Sequence, residues 1–256
     1  MYTGKKSELY NHCTQSVAEY AKRIGADYVQ QRTPILMIKP DPFTSNRSKE
    51  SYEKYGGFLP IFEKENAFSY LKSYDQIAII DADIYVRPDC KDCIFAAAGT
   101  SVDFAGVLER SMPTVPAYTQ KLANYTRMQY AHPGLSGLFN WDHKAGADFY
   151  NMGLMVVNKS IEKYLNGETP QQFLRRPRFK PFVDGVGAWK WSTDQTLLNV
   201  WVKEEKMAVN NLDWKWNGLF TGIGMDKIKQ CNFVHFFLKD KLPNRGENVE
   251  ELMKYV

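Results

Sequence analysis

The stretch that decides the fold is Ile77-Ala78-Ile79-Ile80-Asp81-Ala82-Asp83-Ile84-Tyr85-Val86, a short apolar run that ends in two carboxylates. The run predicts a buried strand, and in an extended segment the side chains of residues i and i+2 point to the same side. Asp81 and Asp83 therefore converge at the carboxyl end of a strand, where open α/β sheets bind ligands. Two hard oxygen donors there suit a divalent cation that carries a diphosphate. Two solvated aspartates at a strand end are the alternative.

The composition predicts a globular protein with a substantial core. The chain has 256 residues, of which 44% are hydrophobic and 14% aromatic, enough for one large domain or two small ones. No apolar stretch reaches the roughly 18 residues that a membrane span needs, so we expect no transmembrane segment. The first residues lack an apolar signal region, and only four cysteines occur. These features favour a reducing, cytoplasmic location.

Two short motifs leave alternatives open. Cys90-Lys91-Asp92-Cys93 has C-x-x-C spacing, but no second pair completes a zinc site, so a redox dithiol is the remaining alternative. The densest basic run is Arg175-Arg176-Pro177-Arg178-Phe179-Lys180, in a chain of net charge +4. Nucleic-acid binding needs a broader basic footprint, so we expect none. The run is either a solvated loop or a patch for an anionic acceptor or a membrane surface.

Hydrophobic periodicity predicts alternating helices and strands in the first half of the chain. The predicted helices are 7–24, 61–73, 118–130, 192–203 and 247–255, with a short helix or turn at 160–165. The predicted strands begin at Tyr28-Val29 and include 35–38, 77–80, 102–108, 152–157, 206–210 and 232–237. We expect loops at 40–57 and 131–149, the latter a possible lid in function, and mostly irregular structure at 166–191.

This order predicts a single α/β domain over residues 1–256, with a mixed sheet flanked by helices. Residues 1–108 would form its nucleotide-binding half and residues 109–256 its acceptor-binding half. A doubly wound fold normally opens with a strand, whereas here the first clear element is a helix. The first strand is therefore expected to be truncated or missing, with Met1-Tyr2-Thr3 as its remnant.

Four further segments follow the acidic pair in a fixed order. They are Asn151-Met152-Gly153-Leu154-Met155-Val156-Val157-Asn158, Ser192-Thr193-Asp194-Gln195-Thr196-Leu197-Leu198-Asn199, Leu212-Asp213-Trp214-Lys215-Trp216-Asn217 and Val234-His235-Phe236. This order resembles the GT-A glycosyltransferases, and among them the retaining family that includes glycogenin and bacterial lipopolysaccharide galactosyltransferases. The resemblance covers roughly residues 60–243 and implies the GT-A, Rossmann-like fold.

The resemblance implies a metal site. Asp81 and Asp83 would hold a divalent cation, Mn²⁺ or Mg²⁺, that bridges the donor diphosphate. His235 would be the third protein ligand. A core histidine at the end of a strand is the alternative for His235.

The resemblance also implies residues that contact the donor. Lys64 would lie near the donor, with a surface lysine as the alternative, and Asn151 would lie near the donor sugar. Lys241 lies six residues after His235 and would contact the diphosphate. The family's Gly and Pro are missing from that loop, so Lys239 could substitute for Lys241.

Asp194 and Gln195 would be the catalytic pair beside the anomeric carbon. The structural alternative is a capping box from Ser192 to Gln195, with Asp194 in the first turn of a helix. Retention of configuration, which the resemblance implies, would require same-face attack or a covalent intermediate. Gln195 is a poor nucleophile, which favours same-face attack assisted by the leaving phosphate. An inverting outcome would instead make Asp184 or Asp194 the general base.

The resemblance therefore implies a metal-dependent glycosyltransferase that uses a nucleotide-diphosphate sugar, a UDP-sugar, and a glycan, lipid-linked or protein acceptor. Trp189, Trp191 and Trp216 are candidates for the acceptor side, since aromatic faces stack on sugar rings. The alternatives are a nucleotidyltransferase, a sugar-binding module without catalysis, and a catalytically silent relative that binds sugar nucleotides. The oligomeric state is left open.

Overall fold

The computed structural model describes residues 7–41, 43 and 53–256. The helices are α1 (Glu8–Ile24), α2 (Ile94–Ala98), α3 (Pro116–Tyr130), α4 (Glu162–Leu165), α5 (Pro170–Leu174), α6 (Lys180–Asp184), α7 (Asp194–Glu204), α8 (Met225–Ile228) and α9 (Val249–Met253). The strands are β1 (Gln76–Ile80), β2 (Ile84–Val86), β3 (Phe104–Leu108), β4 (Trp141–Asp142), β5 (Gly146–Ala147), β6 (Tyr150–Asn158), β7 (Val209–Asn211), β8 (Gly218–Leu219) and β9 (Phe233–His235).

The strands form a four-stranded mixed sheet in the order β1-β6-β3-β7 and a three-stranded sheet in the order β2-β9-β8. In the larger sheet β6 is antiparallel to both β1 and β3, while β3 and β7 are parallel. Strands β4 and β5 form a separate hairpin. The α/β prediction of a mixed sheet flanked by helices is confirmed.

The sheet separates two hydrophobic clusters because successive side chains of a strand point to opposite faces. On β6, Met155 and Val157 join one cluster, together with α5, α7 and the 3₁₀ helix Lys64–Lys72. The alternate residues Leu154 and Val156 join the other cluster, together with α1 and the smaller sheet. All nine residues of β6 are buried, as expected of a strand covered on both faces.

Asp103 holds the start of β3 in place. Its carboxylate accepts hydrogen bonds from Ser160, Lys163 and Tyr164 and from the backbone N–H of Ala208. Burial acts to raise the pKa of Asp103, but these donors outweigh it and lower the pKa from 3.8 to about 2. The carboxylate therefore stabilises the folded protein only while it is ionised.

Two predicted strands near the amino terminus are wrong. Residues 26–41 contain neither helix nor strand. The N–H groups of Ile35, Leu36 and Met37 all donate to the buried carboxylate of Glu63, at 2.7, 2.9 and 2.5 Å. One carboxylate thus satisfies the donors that a strand would offer to a neighbour, and Met37 takes a positive φ of 48°.

Other boundaries also differ from the prediction. The expected loop 131–149 contains the β4–β5 hairpin, and the expected irregular region 166–191 contains α5 and α6. Residues 61–73 form 3₁₀ rather than α-helix. Met1-Tyr2-Thr3, the expected remnant of a first strand, lie outside the described residues, as does most of the expected loop 40–57.

The outer edge of β1 faces a cavity of about 540 Å³ that α1 and residues 26–31 also line. Within the described ranges, no strand pairs with that edge. In the same ranges no helix is both long enough and apolar enough to cross a membrane.

Candidate active site

Asp81 and Asp83 lie where the two sheets meet. Asp81 follows β1 of the larger sheet, and its N–H donates to the carbonyl of Gly153 in β6 at 2.8 Å. Asp83 precedes β2 of the smaller sheet, and its carbonyl accepts from the N–H of Phe236 at 2.9 Å. Ala82 is the single residue between them, so one step of the chain passes from one sheet to the other.

His235 reaches the acidic pair through the smaller sheet. It ends β9 and lies opposite Ile84 of β2, one residue after Asp83. Its Nε2 lies 3.2 Å from Asp83 Oδ1. One ligand atom each from Asp81, Asp83 and His235 can be chosen so that all three lie within 4.8 Å of one another. The structure thus brings together the three residues predicted to hold a cation.

The electrostatics of the pair favour charge on both partners. Burial acts to lower the pKa of His235, but the Asp83 carboxylate outweighs it and the pKa is raised. Burial acts to raise the pKa of Asp83, and His235 outweighs it, so this pKa is lowered. The histidine side chain is only 6% exposed, whereas those of Asp83 and Asp81 are 22% and 34% exposed. The carboxylates therefore remain open to the cleft.

The donor set fits a hard divalent cation. Two carboxylates and one imidazole match the ligand preference of Mn²⁺ and are compatible with Mg²⁺. The open side of the aspartates leaves room for further oxygen ligands from water or substrate. Burial of the histidine fixes its ring, which a metal ligand requires.

Lys64 is a buried ion-pair partner rather than a surface lysine. Its Nζ lies 3.0 Å from Asp81 Oδ1 and 2.8 Å from Asp194 Oδ2, and it donates to the carbonyl of Met152 at 2.7 Å. Burial acts to lower the pKa of Lys64, but the two carboxylates outweigh it and raise the pKa. One cation thus links the predicted metal site to the predicted catalytic aspartate.

Asp194 and Gln195 open α7 and lie in the same cleft. Thr193, not Ser192, is the N-cap, since its side chain accepts from the N–H of Gln195. The predicted capping box from Ser192 is wrong, because the Ser192 hydroxyl donates to the carbonyl of Phe182 instead. The Gln195 side chain is therefore free of a capping role, and its Oε1 accepts from the N–H of Met152 at 3.1 Å.

These residues line one cleft of about 610 Å³. Its walls include four side chains that the sequence did not single out, namely Tyr10, Glu109, Lys121 and Tyr125. Burial, followed by the charge of Lys241, lowers the pKa of Lys121. The only sequence signal for Lys121 and Tyr125 was their place on an amphipathic helix, which does not say which side faces substrate.

Asn151 also lines the cleft, but its side chain is held by protein partners. Its Nδ2 donates to Glu109 Oε2 at 3.0 Å, and its Oδ1 accepts from the N–H of Gly153 at 3.0 Å. The residue is 6% exposed. One of its two amide hydrogens remains for a substrate, so the predicted sugar contact stays a prediction.

Lys241 is exposed and does not line the cleft, whereas Phe237 and Leu238 do. Leu238 adopts a positive φ of 57°, which turns the chain just before the 3₁₀ helix Lys239–Lys241. Lys239, the substitute considered from the sequence, pairs with Glu247 and donates to Ser7. Among the described residues, Lys121 is thus the lysine that lines the cleft besides Lys64.

The candidate acceptor tryptophans lie outside the lining of this cleft. Trp189 is 9% exposed, contacts the ring of His132 and donates to the carbonyl of Gln129. Trp216 is 5% exposed and packs edge-on against Phe233. Trp191 is 61% exposed and is the one of the three whose ring is open to a ligand. Their acceptor role stays a prediction.

The C-x-x-C pair and the basic run, for which the sequence left alternatives open, lie away from this cleft. Cys90 and Cys93 are free thiols, and burial raises the pKa of Cys90, which disfavours a reactive thiolate. In the basic run, Arg176 pairs with Glu168, Arg178 with Glu204, and Lys180 with Asp184. These three cations therefore have protein partners.

No protein-family model matches the chain, and no curated protein matches its sequence. Three solved structures show a distant likeness. A glycosyltransferase involved in the glycosylation of the major capsid of PBCV-1 is 13% identical, covers 98% of this chain and 95% of its own, and has a TM-score of 0.48. Mouse xyloside xylosyltransferase 1, in its apo form, is 13% identical, and the match covers 91% of this chain and 75% of the xylosyltransferase, with a TM-score of 0.45. The apo structure of the bifunctional glycosyltransferase WbbM is 15% identical, and the match covers 68% of this chain and 31% of WbbM, with a TM-score of 0.38.

Proposed function

We propose that the protein is a metal-dependent glycosyltransferase that moves a sugar from a UDP-sugar to an acceptor with retention of configuration. One observation carries the proposal. Asp81, Asp83 and His235 converge within 4.8 Å on a cleft that also contains Asp194 and Gln195. Sugar binding alone does not require such a cation site beside a buried carboxylate, whereas departure of a nucleoside diphosphate does.

The cation, when bound, would neutralise charge on the departing diphosphate. Asp81 and Asp83 would hold it through their exposed oxygens, and His235 through Nε2. Among the described residues that line the cleft, Lys121 is the further protein cation that would contact the diphosphate, nearer than the predicted Lys241. Since Lys121 is partly desolvated, its charge acts at a lower effective dielectric than that of a surface lysine.

Asp194 would stabilise positive charge that develops on the anomeric carbon. Burial raises the pKa of the Asp194 carboxyl, and the ion pair with Lys64 opposes that shift and so favours the charged form that this role needs. Lys64 also contacts Asp81 at 3.0 Å, so it holds the catalytic carboxylate at a fixed place relative to the cation site. Preorganised charge of this kind is a major source of transition-state stabilisation.

Retention would require same-face attack or a covalent intermediate, and Gln195 argues against the covalent route. Its side chain carries a neutral amide whose Oε1 already accepts a hydrogen bond from Met152, so it is a weak nucleophile. Attack by the acceptor on the face that the diphosphate leaves is then the consistent route. An anomeric assignment of the product by NMR tests it, and an inverted product would contradict it and favour Asp194 as general base.

The test of the overall function is a screen of nucleotide sugars for hydrolysis and transfer with Mn²⁺. We expect turnover of a UDP-sugar that EDTA abolishes and that added Mn²⁺ restores. Asp83→Asn should lose this turnover, while Asp226→Asn, a matched change at a side chain that is 75% exposed, should not. Metal-independent turnover, or equal loss in the two variants, would contradict the proposal.

A further inference from the structure

A chain of buried polar side chains leads away from His235 on the side opposite Asp83. His235 Nδ1 lies 3.0 Å from Asn217 Oδ1. Asn217 Nδ2 donates to Asn151 Oδ1 at 2.9 Å, and Asn151 Nδ2 donates to Glu109 Oε2 at 3.0 Å. All four residues are buried, and Asn217 is 0% exposed. At Asn217, solvent therefore cannot replace a protein partner.

The orientation of Asn151 is determined at two points. Its Oδ1 faces the backbone N–H of Gly153 at 3.0 Å, and a backbone N–H can only donate. Its Nδ2 donates to Glu109 Oε2 at 3.0 Å, and the other oxygen of that carboxyl accepts from the hydroxyl of Tyr118, so both Glu109 oxygens act as acceptors here. Reversal of the Asn151 amide would set donor against donor and acceptor against acceptor.

The orientation of Asn217 follows from that of Asn151. Asn151 Oδ1 faces Asn217 and can only accept, so the Asn217 atom that contacts it must be the donor Nδ2. The remaining atom, Asn217 Oδ1, then faces the imidazole. An amide oxygen can only accept, so the facing ring nitrogen must carry a proton.

We propose that Asn217 is a positioning residue that keeps the proton of His235 on Nδ1 and so leaves Nε2 as the ligand atom. The inference rests on the proposed function, because it assigns a purpose to this tautomer. Nε2 is the ring nitrogen on the side of the acidic pair, 3.2 Å from Asp83 Oδ1. The unused ring N–H of a metal-bound histidine commonly donates to a carboxylate or carbonyl that fixes the ring.

The opposite tautomer is disfavoured by the same geometry. An unprotonated Nδ1 would put two acceptors 3.0 Å apart in a site that water does not reach. Neither group could find another partner, and leaving a buried acceptor unpaired is costly. Nε2 faces Asp83 Oδ1 at 3.2 Å and carries a proton when the ring is charged. Asn217 thus ensures that the proton displaced by a cation is the one on Nε2, while Nδ1 keeps its own.

The first test reads the tautomer directly in the wild-type protein with Mg²⁺ bound and without donor, so that Asp83 is engaged by the cation rather than by Nε2–H. Two-bond ¹H–¹⁵N spectra, recorded in alkaline buffer where the imidazole is neutral, distinguish the protonated from the unprotonated ring nitrogen. We expect the proton of His235 on Nδ1. A proton on Nε2 would overturn the proposal without any variant being made.

The second test compares Asn217→Leu with Asn217→Asp by Mn²⁺ binding, with the free ion followed by EPR. Leucine removes the acceptor at similar size, and we expect Mn²⁺ affinity to fall by about 10–100-fold. Aspartate keeps an oxygen acceptor at Nδ1 and, when protonated, an O–H donor towards Asn151 Oδ1, so its affinity should stay well above that of the leucine variant. Equal losses in the two variants would show a role of Asn217 in packing alone and would overturn the proposal.

Thermal unfolding of each variant shows whether it is folded. If Asn217→Leu does not fold, Asn217→Ala replaces it, and the wild-type spectrum decides in either case. The failure of the proposed function is read separately. A wild-type protein that binds no Mn²⁺ would contradict the cation site, whereas a reversed tautomer would contradict the role of Asn217.

Discussion

Gly153 permits the approach of His235 to β6, and Gly153→Ala should therefore destroy the cation site. A Cβ at this position would lie 2.3 Å from Cε1 and 2.7 Å from Nδ1 of His235. The backbone cannot withdraw easily, since the Gly153 carbonyl accepts from the N–H of Asp81. The imidazole must move instead.

The size of that movement follows from the contact distances. Ordinary contact begins at 3.4 Å, so a Cβ at 2.3 Å falls short by about 1.1 Å. Metal–ligand bonds tolerate only about 0.2 Å of deviation, so the displaced ring can no longer ligate in place. A misplacement of about 1 Å in a catalytic constellation costs about 100-fold in rate. We expect a loss of that order in Mn²⁺-dependent turnover of the UDP-sugar.

The assay compares Gly153→Ala with Gly106→Ala, a matched overpacking change in β3. A Cβ at Gly106 would lie 2.9 Å from ring atoms of Phe104, away from His235. Both variants should lose about 1–3 kcal/mol of unfolding free energy, as overpacked cores do. Only Gly153→Ala should lose turnover and Mn²⁺ affinity. Turnover close to wild type in Gly153→Ala, or an equal loss in both variants, would refute the reasoning.

Three other predictions follow from single contacts. Lys64→Met leaves the buried carboxylate of Asp194 unpaired, so urea unfolding should show a loss of about 3–5 kcal/mol; a loss as small as that of Lys227→Met would contradict the buried ion pair. Lys121→Ala should raise the KM for the donor, while Lys241→Ala, outside the cleft, should leave it unchanged; the reverse pattern would restore the sequence-based assignment. Asp103→Asn should be about 2 kcal/mol less stable than wild type near pH 7, because the folded pKa of Asp103, about 2, lies below its ordinary value of 3.8. This difference in unfolding free energy should shrink as the pH falls from 3.8 and vanish below 2. A difference that does not depend on pH would contradict the prediction.

The sequence predicted that Asp81, Asp83 and His235 would come together, because each has a strong local signal. Their role as cation ligands stays a prediction. Asp81 and Asp83 end an apolar run at i, i+2 spacing, and His235 ends a second one in the expected order of motifs. Strands β1, β3, β6 and β9 were found in the same way, since they are short and apolar. Elements of this kind depend little on what lies elsewhere in the chain.

The errors have the opposite origin, because they depend on distant partners. The run 35–38 is as apolar as a strand, but its N–H groups donate to the Glu63 carboxylate instead of to a neighbouring strand. No local sequence pattern predicts these hydrogen bonds. Ser192 has the spacing of a capping box, yet it donates to Phe182 while Thr193 caps the helix. Tertiary contacts decide between such local options.

The cleft residues Glu109, Lys121 and Tyr125 were missed for a related reason. None belongs to a motif, and their side chains meet the acidic pair only because α3 and the end of β3 pack beside β6. Lys241 was assigned from spacing alone, and it lies exposed beyond the turn at Leu238, so its contact with the diphosphate stays a prediction.

The single-residue link at Ala82 has a mechanical consequence. Asp81 is anchored to the larger sheet through Gly153, while Asp83 and His235 belong to the smaller one. An ion bound by all three residues would therefore link two separately hydrogen-bonded sheets. Its binding free energy would add to the stability of the folded protein and raise the Tm. Loss of the ion would remove this link between the two sheets. Catalytic activity and the relative alignment of the sheets would therefore depend on the same bound ion.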